Sequence, residues 1–145
     1  MSVDPDDEKP LDLESLGRVV SRLREAVEAH RTTPDNLFIL DSVIKRFELT
    51  YELSIRSLRR FLRDYEVSGA EIEDMSFQGI VRRGHKDGFL QTGWPDWKDF
   101  RDARNKTVHT YREEKAREVA AAAEIFVVEA EFLLDQLKRR TTHHA

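Results

Sequence analysis

Three side chains within residues 101–111, RDARNKTVHTY, could together act on a phosphate group. Arg104 carries a permanent charge on a planar guanidinium, which suits phosphate oxygens. His109 titrates near neutral pH and can transfer a proton, and Tyr111 provides a phenol hydroxyl. In metal-free cleavage of RNA, His109 would remove the proton from a ribose 2′-hydroxyl while Arg104 stabilises the charge that develops on the phosphate. DNA lacks that hydroxyl and would not react.

The spacing of Arg104 and His109 does not suit a straight helix, because five residues rotate by roughly 140°. The two side chains would then lie on different faces. One remedy is local: residues 107–110 include three β-branched side chains, which weaken a helix and could let it bend or unwind. The other is a two-fold axis nearby, so that two subunits contribute side chains to a shared cleft.

Each of the three residues also has an ordinary structural interpretation. Arg104 could be a surface arginine held in a salt bridge, and His109 a histidine at a helix end. Tyr111 continues the helical spacing of Phe100 and Val108, which predicts a position at the edge of the core. On composition and spacing alone, these interpretations stand beside the catalytic one.

One face of the longest predicted helix is polar. Its charged residues follow at steps of three and four, which is typical of a solvated face crossed by salt bridges: Asp41, Lys45, Glu48, Glu52, Arg56 and Arg59. If this face lines the cleft instead, Glu48 or Glu52 could orient Arg104.

Several classes of site are excluded by missing residues. The chain has no cysteine, hence no disulfide, thiolate metal ligand or cysteine nucleophile. It has no phosphate-binding glycine motif, no HExxH and no GxSxG. It also lacks the glycine-serine turn and paired aspartates with which a nucleotidyltransferase holds magnesium. His30, His85 and His109 are too scattered to suggest zinc. We therefore expect neither a metal nor a cofactor.

Apolar residues recur at helical spacing along most of the chain, and no segment alternates as a strand would. The longest run, residues 37–65, contains neither glycine nor proline and would form a helix roughly 42 Å long. Other helices are predicted over residues 11–30, after Pro95 and over 113–139, with a short one near 75–81. The sequence therefore predicts an all-α fold, an antiparallel four- to five-helix up-and-down bundle.

The 145 residues suffice for one domain, which we place at residues 11–139 between flexible ends at 1–10 and 140–145. No stretch approaches the roughly 18 apolar residues of a membrane span, and the acidic N-terminus is unlike a secretory signal. We therefore expect a cytoplasmic protein. The formal net charge is −4, but residues 79–112 carry eight Lys and Arg against four acids, which favours an anionic partner locally.

The predicted lengths of the helices also bear on assembly. A long helix beside shorter neighbours leaves apolar surface for a second chain, so we expect a homodimer. The alternative is a monomer in which the N-terminal segment covers that helix flank.

The motif Arg-x4-His-x-Tyr at residues 104–111 resembles the signature of the HEPN toxins. These proteins are the partners of minimal nucleotidyltransferase antitoxins and are also known as nucleotidyltransferase substrate-binding proteins. The likeness extends to RFELTYELSIRSLRRFL (46–62), GFL (88–90) and TGWPDWKDF (92–100), and it covers about residues 11–138. Residues 66–76 depart from it, because they are more polar than the usual passage between helices.

The resemblance implies a five-helix, mostly antiparallel fold and a homodimer with the motif in a cleft between subunits. It implies a metal-independent ribonuclease in which Arg104 and His109 are catalytic and Asn105 binds phosphate or shapes the cleft. Tyr111 would be the hydroxyl to which the cognate nucleotidyltransferase transfers AMP, adding charge and bulk where an RNA phosphate must dock. The alternative is a non-catalytic subunit that docks a nucleotidyltransferase and presents a substrate to it.

Overall fold

The computed structural model describes residues 12–65 and 69–144, and every regular element within those ranges is helical. The elements are α1 (Leu13–Thr32), α2 (Leu37–Tyr65), α3 (Gly69–Glu73), α4 (Phe77–Lys86), α5 (Trp94–Lys106), a 3-10 turn (Thr107–His109) and α6 (Glu113–His144). The predicted all-α fold is confirmed. The expected flexible segment 1–10 lies outside the described residues.

The first two long helices form an antiparallel pair. On α2, Thr50 Oγ1 donates to the carbonyl oxygen of Val19 on α1 at 3.2 Å. One turn earlier on α2, Arg46 donates to the carbonyl oxygen of Arg22, further along α1, at 2.8 Å. α1 is likewise antiparallel to α6, because its last turn reaches Glu124 through Arg31 at 2.7 Å while its middle reaches a later turn of α6.

α5 runs antiparallel to α6. Its last residue, Lys106, pairs with Glu118 near the start of α6 at 3.2 Å, whereas Trp97 near its start donates to Glu129 further along α6 at 3.1 Å. α2 and α6 therefore run in one direction, and α1 and α5 in the other. This confirms the predicted up-and-down order.

An aromatic cluster joins α2, α5 and α6 in the centre of the core. The ring of Phe126 meets those of Phe47, Trp97 and Phe100 edge-on, with centroids 5.4, 5.5 and 5.1 Å apart. All four side chains are buried. Burial of each contributes about 1.5–3 kcal/mol, and the edge-on geometry is the one that aromatic quadrupoles favour. The cluster fixes α5 against its neighbours just before Arg104.

A buried carboxylate secures the loop that leads into α5. Glu129 is 2% exposed, and it accepts hydrogen bonds from the backbone N–H groups of Gln91 at 2.7 Å and Thr92 at 3.0 Å. It also accepts from the Thr92 hydroxyl and from Trp97 Nε1. With these donors satisfied, the charge is tolerated in the core. The start of α5 is thereby tied to α6.

Two features of the helices, the presence of α3 and the length of α6, were not predicted. A five-residue helix, α3, forms within the stretch that departs from the family pattern. The last helix extends to His144, beyond the predicted end at residue 139. Its final turns are supported by the Arg140 guanidinium, which lies 3.9 Å from the centroid of the Phe89 ring. Within the described ranges, no helix is both long enough and apolar enough to cross a bilayer.

Candidate active site

The motif begins on α5 and ends beyond it. α5 has a proline in its first turn, where the missing N–H costs nothing, and it ends at Lys106. The Thr107 hydroxyl donates to the carbonyl oxygen of Arg104 at 2.8 Å, and the Thr110 hydroxyl donates to that of Thr107 at 3.1 Å. Such local bonds compete with the helical pattern. The chain tightens into the 3-10 turn, so the helix does end at these β-branched residues, which is the local one of the two alternatives that the sequence left open.

Because α5 ends at Lys106, the predicted position of Tyr111 at the edge of the core is wrong. Its side chain is 79% exposed, and Val108 is 74% exposed. Both were placed on the apolar stripe of a helix that stops before it reaches them. Phe100, within the helix, is buried as the spacing predicts. The phenol of Tyr111 is therefore presented to solvent.

A carboxylate of α2 holds Arg104. The Arg104 Nη2 atom donates to Glu52 Oε1 in an ion pair between α5 and α2. This hydrogen bond, and to a lesser degree the charges of Glu52 and Glu48, raises the pKa of the Arg104 guanidinium above its ordinary value. Of the two acids predicted to orient Arg104, Glu52 is the one in contact, and Glu48 acts from a greater distance.

One nitrogen of Arg104 is left without a partner. The side chain as a whole is 40% exposed, but its Nε is buried and makes no hydrogen bond with any residue that the structure describes. A buried donor in this condition costs about 1–3 kcal/mol. Arg104 is thus both oriented and incompletely satisfied.

Arg104 lines a depression of about 390 Å³ between α2, α4 and α5. Its lining combines three arginines, one carboxylate and several apolar or aromatic side chains: Tyr51, Glu52, Ile55, Arg56, Arg59, Phe77 and Arg104. Burial raises the pKa of Tyr51 to about 12, so its phenol stays protonated well above neutral pH. The surface is concave and mostly cationic, which suits an anion.

The charged stripe on α2 is therefore not the salt-bridged face that its spacing predicts. Among the described residues, its members form no ion pairs with one another. Glu52 pairs with α5 instead, and Arg59 donates to the carbonyl oxygen of Met75 at 3.0 Å. The reason is tertiary: α5 and the segment between α3 and α4 lie beside this face and provide these partners.

His109 and Tyr111 line a different depression, of about 340 Å³, where the chain passes from α5 to α6. The other lining residues are cations: Lys106, Arg112 and Lys115. The Arg112 guanidinium lies 6.0 Å from the centroid of the Tyr111 ring. Hydrogen bonding to Lys106 lowers the pKa of the exposed Glu118 carboxyl, as does the nearby charge of Lys115. Glu118 thus forms ion pairs with two of the three cations.

The structure brings the predicted residues together in two groups. Arg104 and Glu52 form one group, and His109 and Tyr111 form the other, each in its own depression. Asn105 is exposed and makes no hydrogen bond with any described residue, so its role stays a prediction. Within the ranges 12–65 and 69–144, no three His, Asp or Glu side chains are close enough together to hold a metal ion.

Five cations of these depressions were not part of the site predicted from sequence: Arg56, Arg59, Lys106, Arg112 and Lys115. A weak signal existed for three of them, because they fall within or next to the basic stretch around the motif. Arg56 and Arg59 gave no such signal. Their spacing matches an ordinary solvated helix face, and only the packing of α4 and α5 places them in a concave surface.

Comparison with known proteins assigns the family. The family model for proteins described as "nucleotidyltransferase substrate binding protein like" matches residues 11–139. A Haemophilus influenzae protein named probable ribonuclease HepT is 34% identical over 105 residues, which cover 72% of this chain and 71% of that protein. A solved structure from Haemophilus influenzae, described as revealing the fold of a substrate binding domain of a nucleotidyltransferase, is similar with a TM-score of 0.80. It is 29% identical and covers 88% of this chain and 99% of that chain. The resemblance carried by the Arg-x4-His-x-Tyr motif is confirmed, and the chain belongs to the nucleotidyltransferase substrate-binding protein family.

Proposed function

We propose that this protein is a HEPN-type toxin, a cytoplasmic homodimer that cleaves RNA without a metal ion. Arg104 and His109 are its catalytic residues. A cognate nucleotidyltransferase neutralises it by transferring AMP to Tyr111. The name of the Haemophilus influenzae relative, probable ribonuclease HepT, supports the reaction class, and the family description supports the kind of partner.

The reaction is an internal transesterification. His109 takes the proton of a ribose 2′-hydroxyl, and the 2′-oxygen attacks the adjacent phosphorus. The bond from phosphorus to the 5′-oxygen of the next nucleotide breaks, and that oxygen takes up a proton. The products are a 2′,3′-cyclic phosphate and a free 5′-hydroxyl. Arg104 donates hydrogen bonds to the phosphoryl oxygens, whose negative charge grows in the transition state.

A second copy of the chain would complete the site. Arg104 and His109 lie in different depressions of one chain, so neither depression alone contains both the cation and the base. A two-fold arrangement that faces one depression with the other would supply both groups to one phosphate. Asn105, next to Arg104 and exposed, would then contact phosphate or shape the cleft.

Regulation follows from the exposure of Tyr111. Its hydroxyl oxygen would attack the α-phosphorus of ATP on the partner enzyme, release pyrophosphate and lose its proton to a base. Three cations line the same depression and would hold the attached phosphate there. The added negative charge and bulk would then exclude an RNA phosphate from His109.

The observation that carries the proposal is Arg104, oriented by Glu52 while its buried Nε lacks a partner, at a concave cationic surface. The test is cleavage of an RNA oligonucleotide by purified protein in EDTA, with the all-deoxy oligonucleotide as substrate control. Arg104→Ala and His109→Ala should each lower the rate about 100-fold or more. Arg139→Ala and His85→Ala, which remove an arginine and a histidine elsewhere, should cleave as the parent does. The proposal is wrong if Arg104→Ala and His109→Ala also cleave RNA as fast as the parent does while their fold and dimer are intact.

One alternative function has support of its own. The family description and the described fold of the solved relative both refer to substrate binding rather than cleavage. In that case the chain is a non-catalytic subunit that docks a nucleotidyltransferase and presents a substrate to it. It predicts no RNA cleavage under any condition, and a nucleotidyl transfer to a third molecule that requires Arg104 and His109.

A further inference from the structure

Two arginines of the Arg104 depression have no part in the proposed cleavage. Arg56 and Arg59 lie on α2, one and two turns after Glu52, and they line the same concave surface as Arg104. Arg56 is exposed, and Arg59 is half-buried. They are three residues apart and thus neighbours on one helix face. The depression therefore presents three guanidinium groups from two helices.

The charges of Arg56 and Arg59 are not neutralised by neighbours. Among the described residues neither has a carboxylate partner, and Arg59 donates only to the neutral carbonyl oxygen of Met75. The one carboxylate in the lining, Glu52, is bonded to Arg104. Three cations against one anion leave a net charge of about +2 in a concavity, where field lines concentrate.

Aromatic side chains lie beside these cations. Phe77 lines the depression, and its ring meets that of Trp94 edge-on, with centroids 5.7 Å apart. Outside the lining itself, the Arg101 guanidinium lies 5.1 Å from the centroid of the Trp94 ring. Cations interleaved with aromatic faces are the usual way in which proteins bind a single nucleic-acid strand, by phosphate contacts and base stacking. The volume of about 390 Å³ is within the range of small-ligand sites and could hold one nucleotide.

We infer that Arg56 and Arg59 form a second phosphate-binding subsite, which holds the nucleotide next to the scissile phosphate of a single-stranded RNA against Phe77. This inference rests on the proposed function, because it assigns the neighbouring phosphate of the same strand. The inference and the proposed function concern different steps. The subsite binds and positions the strand, whereas Arg104 and His109 act on the bond that breaks.

The test separates binding from cleavage by using an oligonucleotide that cannot react. A fluorescein-labelled single-stranded RNA with 2′-O-methyl groups at every ribose is titrated with the full-length protein, and binding is followed by fluorescence anisotropy at several salt concentrations. The double variant Arg56→Gln/Arg59→Gln should bind about tenfold more weakly than the parent. Its log–log salt slope should become shallower by about 0.7, since the variant no longer neutralises the one phosphate assigned to this subsite.

Matched variants control for net charge and for folding. Arg18→Gln/Arg22→Gln removes two charges from α1, which does not line this depression, and should change binding less than twofold. Arg56→Gln alone leaves the hydrogen bond from Arg59 to Met75 in place, so it reports on the subsite even if the double variant unfolds. Arg56→Lys/Arg59→Lys keeps the charge and should recover most of the affinity and salt slope.

The outcomes distinguish the two proposals. If the oligonucleotide binds in a manner that depends on Arg56 and Arg59 but its unmodified form is never cleaved, the subsite stands and the ribonuclease proposal fails. If RNA is cleaved while Arg56→Gln/Arg59→Gln binds as tightly as the α1 control variant, the subsite is wrong. Absence of any binding by the parent protein also overturns it.

Discussion

The two depressions of this protein position their side chains in different ways. Arg104 lies on α5, backed by the aromatic cluster and bonded to α2, and 40% of its side chain is exposed. Tyr111 lies on the short connection between α5 and α6, and 79% of it is exposed. Tertiary packing thus fixes the group proposed to bind phosphate, whereas the group proposed for modification is presented where another enzyme could reach it. Changes around the Arg104 depression should alter stability and catalysis, whereas changes at Tyr111 should alter modification alone.

The largest expected effect concerns modification of the exposed Tyr111. In protein co-expressed with the nucleotidyltransferase proposed as its partner, intact-mass spectrometry should detect increments of AMP, and Tyr111→Phe should abolish them. The free energy of unfolding should change by less than about 0.5 kcal/mol, because the side chain is exposed. Tyr65→Phe, at the end of α2, should keep the increments. AMP adducts on the Tyr111→Phe protein would show that the acceptor is another residue.

The next effect concerns the packing that positions α5, and with it Arg104. Glu129→Ala removes the acceptor of four hydrogen bonds. It leaves the buried Trp97 Nε1 and the part-buried donors of Gln91 and Thr92 unsatisfied, so the free energy of unfolding should fall by about 3 kcal/mol or more. Glu124→Ala on the same helix loses only an exposed pair with Arg31 and should cost less than about 1 kcal/mol. Urea unfolding measures both. Equal losses would mean that Glu129 does not secure α5.

Tyr51 provides a pH-dependent test of the same packing. Its pKa is about 12 in the folded protein against 10.0 for the unperturbed phenol, so the unfolded chain ionises first as the pH rises. The free energy of unfolding should therefore fall between about pH 10 and 12, by at most about 3 kcal/mol from this residue. Tyr51→Phe should remove that part of the decline in urea unfolding followed over this interval. An unchanged decline in the variant would contradict the burial of this phenol.

The smallest effect compares the two acids near Arg104. Glu52→Ala releases the guanidinium and should lower kcat for RNA about tenfold, which is about 1.4 kcal/mol, with Glu52→Gln in between. Glu48→Gln should change kcat less than twofold, because Glu48 acts on Arg104 without contact. Steady-state rates on one oligonucleotide decide the matter. A larger loss for Glu48→Gln than for Glu52→Ala would reverse the assignment.

The helices were predictable because their signals are local. The run of apolar residues over 37–65 and the proline that opens α5 are properties of neighbouring residues, and both elements form where they were expected. The end of α5 was partly predictable for the same reason, since threonine hydroxyls and β-branching act within one turn. The exposure of Tyr111 was missed because the apolar spacing continues past the point at which the helix stops.

By itself, the sequence determined the all-α class, the up-and-down order and the residues of the Arg-x4-His-x-Tyr motif. These features could be predicted because helical periodicity and side-chain chemistry depend on neighbouring residues in the chain. Only the tertiary structure decided that Glu52 rather than Glu48 holds Arg104, that Arg56 and Arg59 share its depression, and that His109 lies in another. The reason is that these relations join residues far apart in the chain. Their partners depend on how α2, α4 and α5 pack, which no local pattern specifies.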